Sequence, residues 1–595
     1  MDDLGQVSRS REQAQMAGFK LNPGPSPDTR LCPLLTILWR QTLKLVTCTF
    51  AVFFSLLSHA QDQIPQLVRG ENGRVQLLVD GAPFLILGGQ AHNSSASNVQ
   101  DVERVYKALD LMHANTAEIP VSWNLLEPEP GRFDFTLIDG VIERARAHHL
   151  HLVLLWFGTT KNATLSYVPD WVKQDRKKYF RAHNAADQEI SAISPFCTAA
   201  LEADQRAFAA LMKHIREFDG RDHTVILMQV ENETGLLGTD RDYSSAAAQA
   251  FNARVPADLL SYIAKNKADL RPALQHAWQE NGSQTEGTWT EIFGHLAPEA
   301  FSAWSISHYV DAVAAAGKTE YPIPYYVNVA LMNSGAARAG EWPSGGGTAN
   351  VIDIWKANAP HIDIIAPDIY RVEFPEMVEI YDRPDNPVLV PETGFAPYYA
   401  PYVFTTLAGH NGLGFAPFGV DSGYAEDAGD GYGNSVPSKA KEPEPSDAFA
   451  AFEENYRVLR PLLPLIVSKR YQNSLFPIVL NMYRHESLAI QVGDSLSAVV
   501  HFDETFVANT SAHRGGGIII KLAADKFVIA GEGFHINFAE LKGVPRNAEY
   551  LTIEEGTFEG DRWIRTRVLN GDEESVTLHT HKPRILLVHL IRRDR

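Results

Sequence analysis

The chain has 595 residues, 45% of them hydrophobic and 21% charged, an ordinary globular balance long enough to bury a large core. Its formal net charge is -19, and because residues 1–60 hold six bases and four acids, a net of +2, the remainder carries -21. Such a surface repels nucleic acid and anionic membranes and favours a neutral or cationic partner; three cysteines (Cys32, Cys48, Cys197) without metal-ligand spacing exclude a disulfide framework.

The first element in chain order is a leader. Arg40 and Lys44 precede the apolar run LVTCTFAVFFSLL and then SHAQD, which reads as a charged region, a hydrophobic region and a small-residue cleavage site after Ala60. The run is short for a transmembrane span, and Cys48 lies inside it rather than after it, which argues against a lipid anchor. Residues 1–60 are therefore expected to be an N-terminal extension and signal peptide, with export to the periplasm or beyond.

From residue 75 onward, apolar runs rich in β-formers alternate with amphipathic stretches. The runs are FLILGG (84–89), TAEIPVSW (116–123), LHLVLLWF (150–157), VILMQV (225–230), PYYVNVAL (324–331), IDIIAPD (362–368), PVLVPE (387–392) and GLGFAPF (412–418). Between them come segments such as NVQDVERVYKALDLMHA and FTLIDGVIERARAHH, with apolar residues at helical spacing. Strands without strict alternation, separated by helices, predict a parallel sheet buried on both faces, and eight such units predict a (β/α)8 TIM barrel. Residues 236–320 read as an insertion with helical pieces. The stretch AFAAFEENYRVLRPLLPLIVSKRY reads as a closing helix interrupted at its prolines, after a Pro- and charge-rich loop at 433–447. From about residue 475 short strands and turn signals take over, which predicts an all-β sandwich. The expected organisation is thus leader (1–60), catalytic barrel with linker and closing helix (61–470) and C-terminal β-sandwich domain (471–595). Lone Cys197 reads as an inert core thiol, and DAGDGYG (427–433) as a turn, since it lacks the spaced terminal Glu of a calcium loop.

Active-site residues of such barrels sit at the C-terminal ends of the strands. Here those ends carry Gln90 and His92; Trp123, Asn124 and Glu127; Trp156; Asn232 and Glu233; Tyr326 and Asn328; Asp368 and Tyr370; Glu392; and Phe415 and Phe418. The mouth is aromatic and rich in carboxylates, without a phosphate loop or a paired-histidine metal motif, so neither cofactor nor metal is expected. Two carboxylates between aromatic walls suit glycoside hydrolysis: one protonates the leaving oxygen and the other attacks or activates water. Glu233 and Glu392 end the fourth and seventh strands, which face each other across a barrel of eight. Strand alternation points Glu231 the same way as Glu233, a rule that weakens at a frayed strand end, and Glu231 reads as a structural carboxylate.

These motifs carry a family resemblance. VENE on the fourth strand and PETG on the seventh resemble the clan A barrel glycosidases. More narrowly, QVENETG, PVSWNLLEPEPGRFDF and GGQAH resemble glycoside hydrolase family 35, the β-galactosidases, over about residues 75–420, and the C-terminal β-domain resembles the secreted bacterial branch that includes xyloglucan-active enzymes. The resemblance implies Glu233 as acid/base, Glu392 as nucleophile, Asn232 on the sugar 2-hydroxyl and Asn124 in the pocket. Gln90, His92, Trp156, Tyr326 and Tyr370 complete the expected carbohydrate-binding set. The family's third-strand segment is replaced by WFGTTKNATLSYVPDW, and Asn93 and Leu126 stand where the family has Tyr and His. Sugars other than galactose therefore stay open, as does a catalytically silent carbohydrate-binding role.

Overall fold

All eight apolar runs form parallel strands: β1 (Ile86–Gln90), β2 (Thr116–Ser122), β3 (His151–Lys161), β4 (Val225–Asn232), β5 (Tyr325–Ala330), β6 (Ile364–Ile369), β7 (Val390–Thr393) and β8 (Gly414–Pro417). They close into a barrel in chain order, β8 pairing with β1. This is a computed structural model describing residues 64–70, 74–332, 335–371, 373–422, 446–479, 487–502, 515–540, 546–579 and 581–591. The leader expected over 1–60, the 427–433 turn and all but the last two residues of the 433–447 loop lie outside the described residues.

The strands show no alternation because both faces are covered. Ile86, Val153, Leu155, Phe157, Ile364, Ala366, Leu389 and Leu413 fill the barrel interior. Leu87, Ile119, Leu154, Trp156, Val230, Val327, Ile365 and Phe415 pack outward under the helices. The helix Val99–Leu111 shows how the pattern is read. Asn98 caps it by accepting from Asp101 N at 2.9 Å, and Val102, Val105, Tyr106 and Leu109 bury its inner face. The β4–β5 insertion holds four short helices and then Ala297–Glu320, which packs on Thr198–Asp219.

One element went unread in the sequence. Gln66–Arg69, Val75–Val79 and Ala82–Phe84 form a small antiparallel sheet, and Leu77 and Val79 join the interior cluster beside Ile86, Leu389 and Leu413 at the strand starts. It plugs the N-terminal end of the barrel. The signal was Asp80-Gly81, both at positive φ (51° and 74°), the two-residue turn of a tight hairpin.

After the barrel, Ser446 caps Asp447–Leu459; a 3-10 turn containing Pro461 breaks it from Leu463–Lys469. Two antiparallel sheets follow. The first has the order 475–479, 516–523, 526–532, 584–590, 550–559, 562–569; the second is built on 488–493, 496–502 and 534–540, with 546–547 and 576–578 both pairing 534–540. Ile519, Phe527, Ile529 and Val588 of the first meet Val500, Phe534, Ile536 and Phe538 of the second. The opposite face of the first sheet (Ile518, Ile520, Val528, Ile585) continues into the barrel's core. No helix among the described residues is long and apolar enough to cross a membrane.

Tyr456 of the closing helix ties this arrangement to the barrel: its buried hydroxyl donates to Gly88 O at 2.9 Å and lies 3.2 Å from Phe415 O, on β1 and β8. Tyr456→Phe is expected to lower unfolding free energy by about 1 kcal/mol with no change in the described fold, read by denaturant titration. An unchanged midpoint would show that the helix holds the barrel by packing alone.

Candidate active site

The end of β4 breaks strand geometry. Glu231 (φ 60°) and Glu233 (φ 44°) both adopt left-handed backbone, strain of about 1–3 kcal/mol each for non-glycine residues. Alternation is lost, and the two glutamates part company. Glu231 turns outward between β3 and the helix Thr198–Asp219. It accepts from Thr159 N (3.2 Å) and Thr160 N (2.6 Å) and faces Asp204, itself held by Trp156 Nε1 at 2.9 Å. Burial, then the Asp204 charge, raises the Glu231 carboxyl well above its usual range, and burial raises Asp204 too, so this buried pair favours holding a proton between them. A glycine is required alongside: a Cβ at Gly158 would lie 2.4 Å from Trp156 Nε1 and 2.5 Å from Glu231 Oε1. Glu231 is scaffolding.

Glu233 turns into the mouth instead. Its backbone N donates to Asn328 Oδ1 at 2.8 Å, and its Oε2 accepts from Asn162 Nδ2 at 2.5 Å. Across from it, Glu392 accepts from Tyr370 OH (2.5 Å) and Gln90 Nε2 (3.0 Å). Asp368, the register neighbour of Glu392, accepts from Asn328 Nδ2 at 2.6 Å. Glu233, Asp368 and Glu392 each offer an oxygen within 4.8 Å of the others; among the described residues this trio is the group of acids, histidines or cysteines close enough to share a cation.

Crowding sets the protonation. Burial first, then the Glu392 charge, pushes Glu233 up to about 7, against the pull of Lys161, Asp368 and Asn162. Burial, Glu392 and Glu233 raise Asp368 well above its usual range, and burial with Glu392 does the same to Glu118 on β2. Glu392 accepts from two neutral donors, and its neighbours take up the protons. The mouth therefore keeps Glu233 as an acid up to near neutral pH, which a proton donor to a leaving group needs.

The structure brings most of the expected residues to this cluster, but not all. Gln90 and Tyr370 both bind Glu392, and Tyr370 keeps 46% of its surface exposed, so its ring is open to a ligand while its hydroxyl is engaged. Asn232 accepts from Lys161 Nζ at 2.9 Å. His92 sits at the rim, its Nδ1 3.0 Å from Asp421, which raises its pKa. Asn124 follows β2 with a buried Oδ1 lacking a protein partner. Two expectations are corrected. Trp156 does not reach the mouth: it alternates with the inward Leu155 and Phe157, so it faces outward against Trp123 and Phe208. Tyr326 lies two residues before Asn328 on β5 and hence one layer lower, packed in the barrel interior. It supports the carboxylates from beneath rather than lining the pocket.

Sequence reasoning gave no role to Lys161, Asn162, Glu118 or Asp421, and none to Asn328 beyond its strand end. A longer third strand was the missing signal, since β3 runs to Lys161 rather than ending at residue 157. Glu127 is structural, accepting from Trp123 Nε1 at 2.7 Å and Gly131 N at 2.6 Å. Trp289 and Trp342 are buried, and Trp304 packs on Trp289 and Phe301 within the insertion.

Parts of the chain are similar to known proteins. Residues 93–309 match the family model described as beta-galactosidase, that of glycoside hydrolase family 42, a span that includes Glu233 and ends before Glu392. Residues 452–581 match a domain of unknown function, DUF5597. The chain is 28% identical over 193 residues to the human beta-galactosidase-1-like protein 3, covering 32% of this chain and 27% of that one. It is 28% identical over 173 residues to a beta-galactosidase of Xanthomonas manihotis, covering 28% and 27%. The chain thus spans about a quarter of the length of these relatives. A crystal structure of beta-galactosidase from Bacillus circulans sp. alkalophilus aligns at a TM-score of 0.43 and 16% identity, covering 64% of this chain and 57% of that one. The fold is a closed eight-stranded parallel barrel, and over part of its length the chain is similar to β-galactosidases. The matching family model is that of family 42, where the sequence motifs resemble family 35.

A raised acid makes the fold bind more protons than the unfolded chain between about pH 4.5 and 7, so stability falls as pH rises through that window. Glu233→Gln is expected to be more stable than the native protein at pH 8, by on the order of 3 kcal/mol, and equally stable at pH 4. Thermal denaturation at the two pH values checks this; an equal or lower Tm at pH 8 would contradict the raised acid.

Proposed function

We propose that the protein is a retaining exo-β-glycosidase, a β-galactosidase, working by double displacement. One observation carries this reading: Glu233 and Glu392 oxygens lie within 4.8 Å, in a mouth where Glu233 is held up to about 7. Carboxyl groups about 5–5.5 Å apart suit attack by one of them on the anomeric carbon, whereas inverting pairs stand about 6.5–9.5 Å apart to admit a water. Glu392 attacks while Glu233 gives its proton to the leaving oxygen. Forming the glycosyl ester removes the Glu392 charge, which removes the repulsion that raised Glu233. Glu233, left ionised by that transfer, takes a proton from water, whose oxygen attacks the anomeric carbon and releases the sugar with Glu392 restored as a carboxylate.

Terminal β-galactosyl residues of plant cell-wall oligosaccharides such as xyloglucan are the proposed substrate. This rests on the family 35-like motifs and the C-terminal β-domain, and a leader for export fits a substrate outside the cell. A neutral oligosaccharide also suits a chain whose charge beyond residue 60 is strongly negative. The replaced third-strand segment places Lys161 and Asn162 at the acid/base, so the sugar contacts there are this chain's own.

Release of product from a panel of nitrophenyl β-glycosides, followed by galactosylated xyloglucan oligosaccharides, tests the reading. Galactose is expected with retained anomeric configuration by NMR, and Glu392→Ala is expected to lose roughly 10³-fold or more in kcat/KM. Rate is expected to fall as pH rises through about 7, where Glu233 loses its proton. Inversion, or a flat profile from pH 4 to 9, would overturn the mechanism; turnover of another glycoside would move the sugar, and no turnover on any would favour a binding role.

A further inference from the structure

The segment that replaces the family's third-strand motif is folded onto the end of β4. Lys161, the last residue of β3, is the register partner of Asn232. The chain then turns back on itself: Lys161 and Thr164 exchange backbone hydrogen bonds of 2.8 and 3.0 Å, and Ala163 N donates to Glu233 O at 3.2 Å. Asn162 and Ala163 take left-handed φ (50° and 54°) to do this. As a result two adjacent residues hold two adjacent residues, Lys161 on Asn232 and Asn162 on Glu233.

Lys161 is 5% exposed, and its Nζ lies 5.0 Å over the Phe157 ring. Burying an ammonium is costly, and a residue with only a packing task would be apolar. The chemistry of the contact shows what the charge does. An ammonium has three donors and no acceptor, so Asn232 presents its oxygen to Lys161 and turns its NH2 the other way. That nitrogen is buried, has no protein partner and belongs to the residue before Glu233. An unpaired buried N–H is a standing cost of about 1–3 kcal/mol, relieved when an oxygen arrives.

We infer that Lys161 is a positioning residue that locks Asn232 as a donor to a substrate oxygen beside the scissile bond, selecting glycosides with a hydroxyl there over those whose ring substituent at that position is an N–H. This rests on the glycosidase reading. Glu233 is faced by Glu392 from β7, Asp368 from β6, and Lys161 and Asn162 from the end of β3. Of these, Lys161 favours the ionised form of Glu233, so its removal raises Glu233 further.

The test compares nitrophenyl β-galactoside with its monodeoxy series and its 2-acetamido-2-deoxy analogue, in the native protein, Lys161→Met, Lys161→Arg, Asn232→Ala and the Lys161→Met/Asn232→Ala double variant. The native protein is expected to lose about 10–100-fold in kcat/KM on deoxygenation at one position, and Lys161→Met to lose that discrimination and accept the acetamido analogue better. Lys161→Arg, also a pure donor, keeps it. The double variant is expected to match Asn232→Ala within about twofold, because the two residues act as one. The basic limb of the pH profile moves up in Lys161→Met. A loss spread equally over every substrate, with an unmoved limb, would reduce Lys161 to scaffolding and overturn the inference. If the native protein cleaves nothing in the series, the glycosidase reading fails separately. Glu233 titration by infrared difference against Glu233→Gln then still decides whether Lys161→Met raises it; no rise would overturn the inference on its own.

Discussion

The site is governed by a shortage of solvent around too many acids. Glu118, Glu233, Asp368 and Glu392 are all buried, and three of them bring oxygens within 4.8 Å of one another. Two full charges at that distance repel by on the order of 3 kcal/mol even with protein-like screening. They cannot all ionise. The cluster must hold protons, and hydrogen-bond donors decide where the remaining negative charge sits. Gln90 and Tyr370 aim two donors at Glu392, while Asn328 spends one face on the Glu233 backbone and the other on Asp368. The difference between Glu392 and Glu233 therefore lies in the placement of neutral amides and a phenol, with Lys161 as a counterweight to the burial and the Glu392 charge that raise Glu233.

The same constraint explains the strained end of β4. Regular alternation would turn Glu231 and Glu233 to one side and crowd a further carboxyl into the mouth. Left-handed backbone at both residues sends Glu231 outward, where Thr159 and Thr160 amides and the Asp204 partner absorb it. Strain of this kind persists only when the surroundings over-determine it. Here they do: Gly158 leaves room, Trp156 fixes Asp204, and the Lys161–Thr164 turn clamps the Glu233 backbone. The outward core beneath β3 and β4 thus has a functional consequence, although none of its residues touches the mouth.

The rest of the molecule keeps the strand ends in register. Leu77 and Val79 close one end of the barrel, and the closing helix reaches β1 and β8 through Tyr456. Those strands lead to Gln90 and to Asp421, which holds His92 at the rim. The first sheet of the sandwich packs its second face into the same core. The segment matched by a domain of unknown function accordingly begins at Phe452, inside the helix that braces the barrel.

Much of this was legible in the sequence. Eight apolar runs without alternation gave eight barrel strands, because burial on both faces leaves no polar face to mark. A Glu at the end of the fourth strand and another at the end of the seventh must meet in a closed barrel of eight, whatever the side-chain details. The stretch before residue 470 reads as a closing helix interrupted at its prolines, and the structure puts the break at Pro461. Other features depended on distances that no local pattern records. Trp156 reads as a mouth residue until strand register turns it outward. Tyr326 reads as a pocket wall until its layer is known. Lys161 and Asn162 looked like loop residues because the length of β3 is set by pairing with β4, not by its own composition. The sequence by itself determined the barrel and its two facing glutamates, because hydrophobic periodicity and strand order are properties of the chain. Only the tertiary structure decided which acids hold protons and which amides present donors, because those follow from separations of a few ångströms between residues as much as 302 positions apart, as in Gln90 and Glu392.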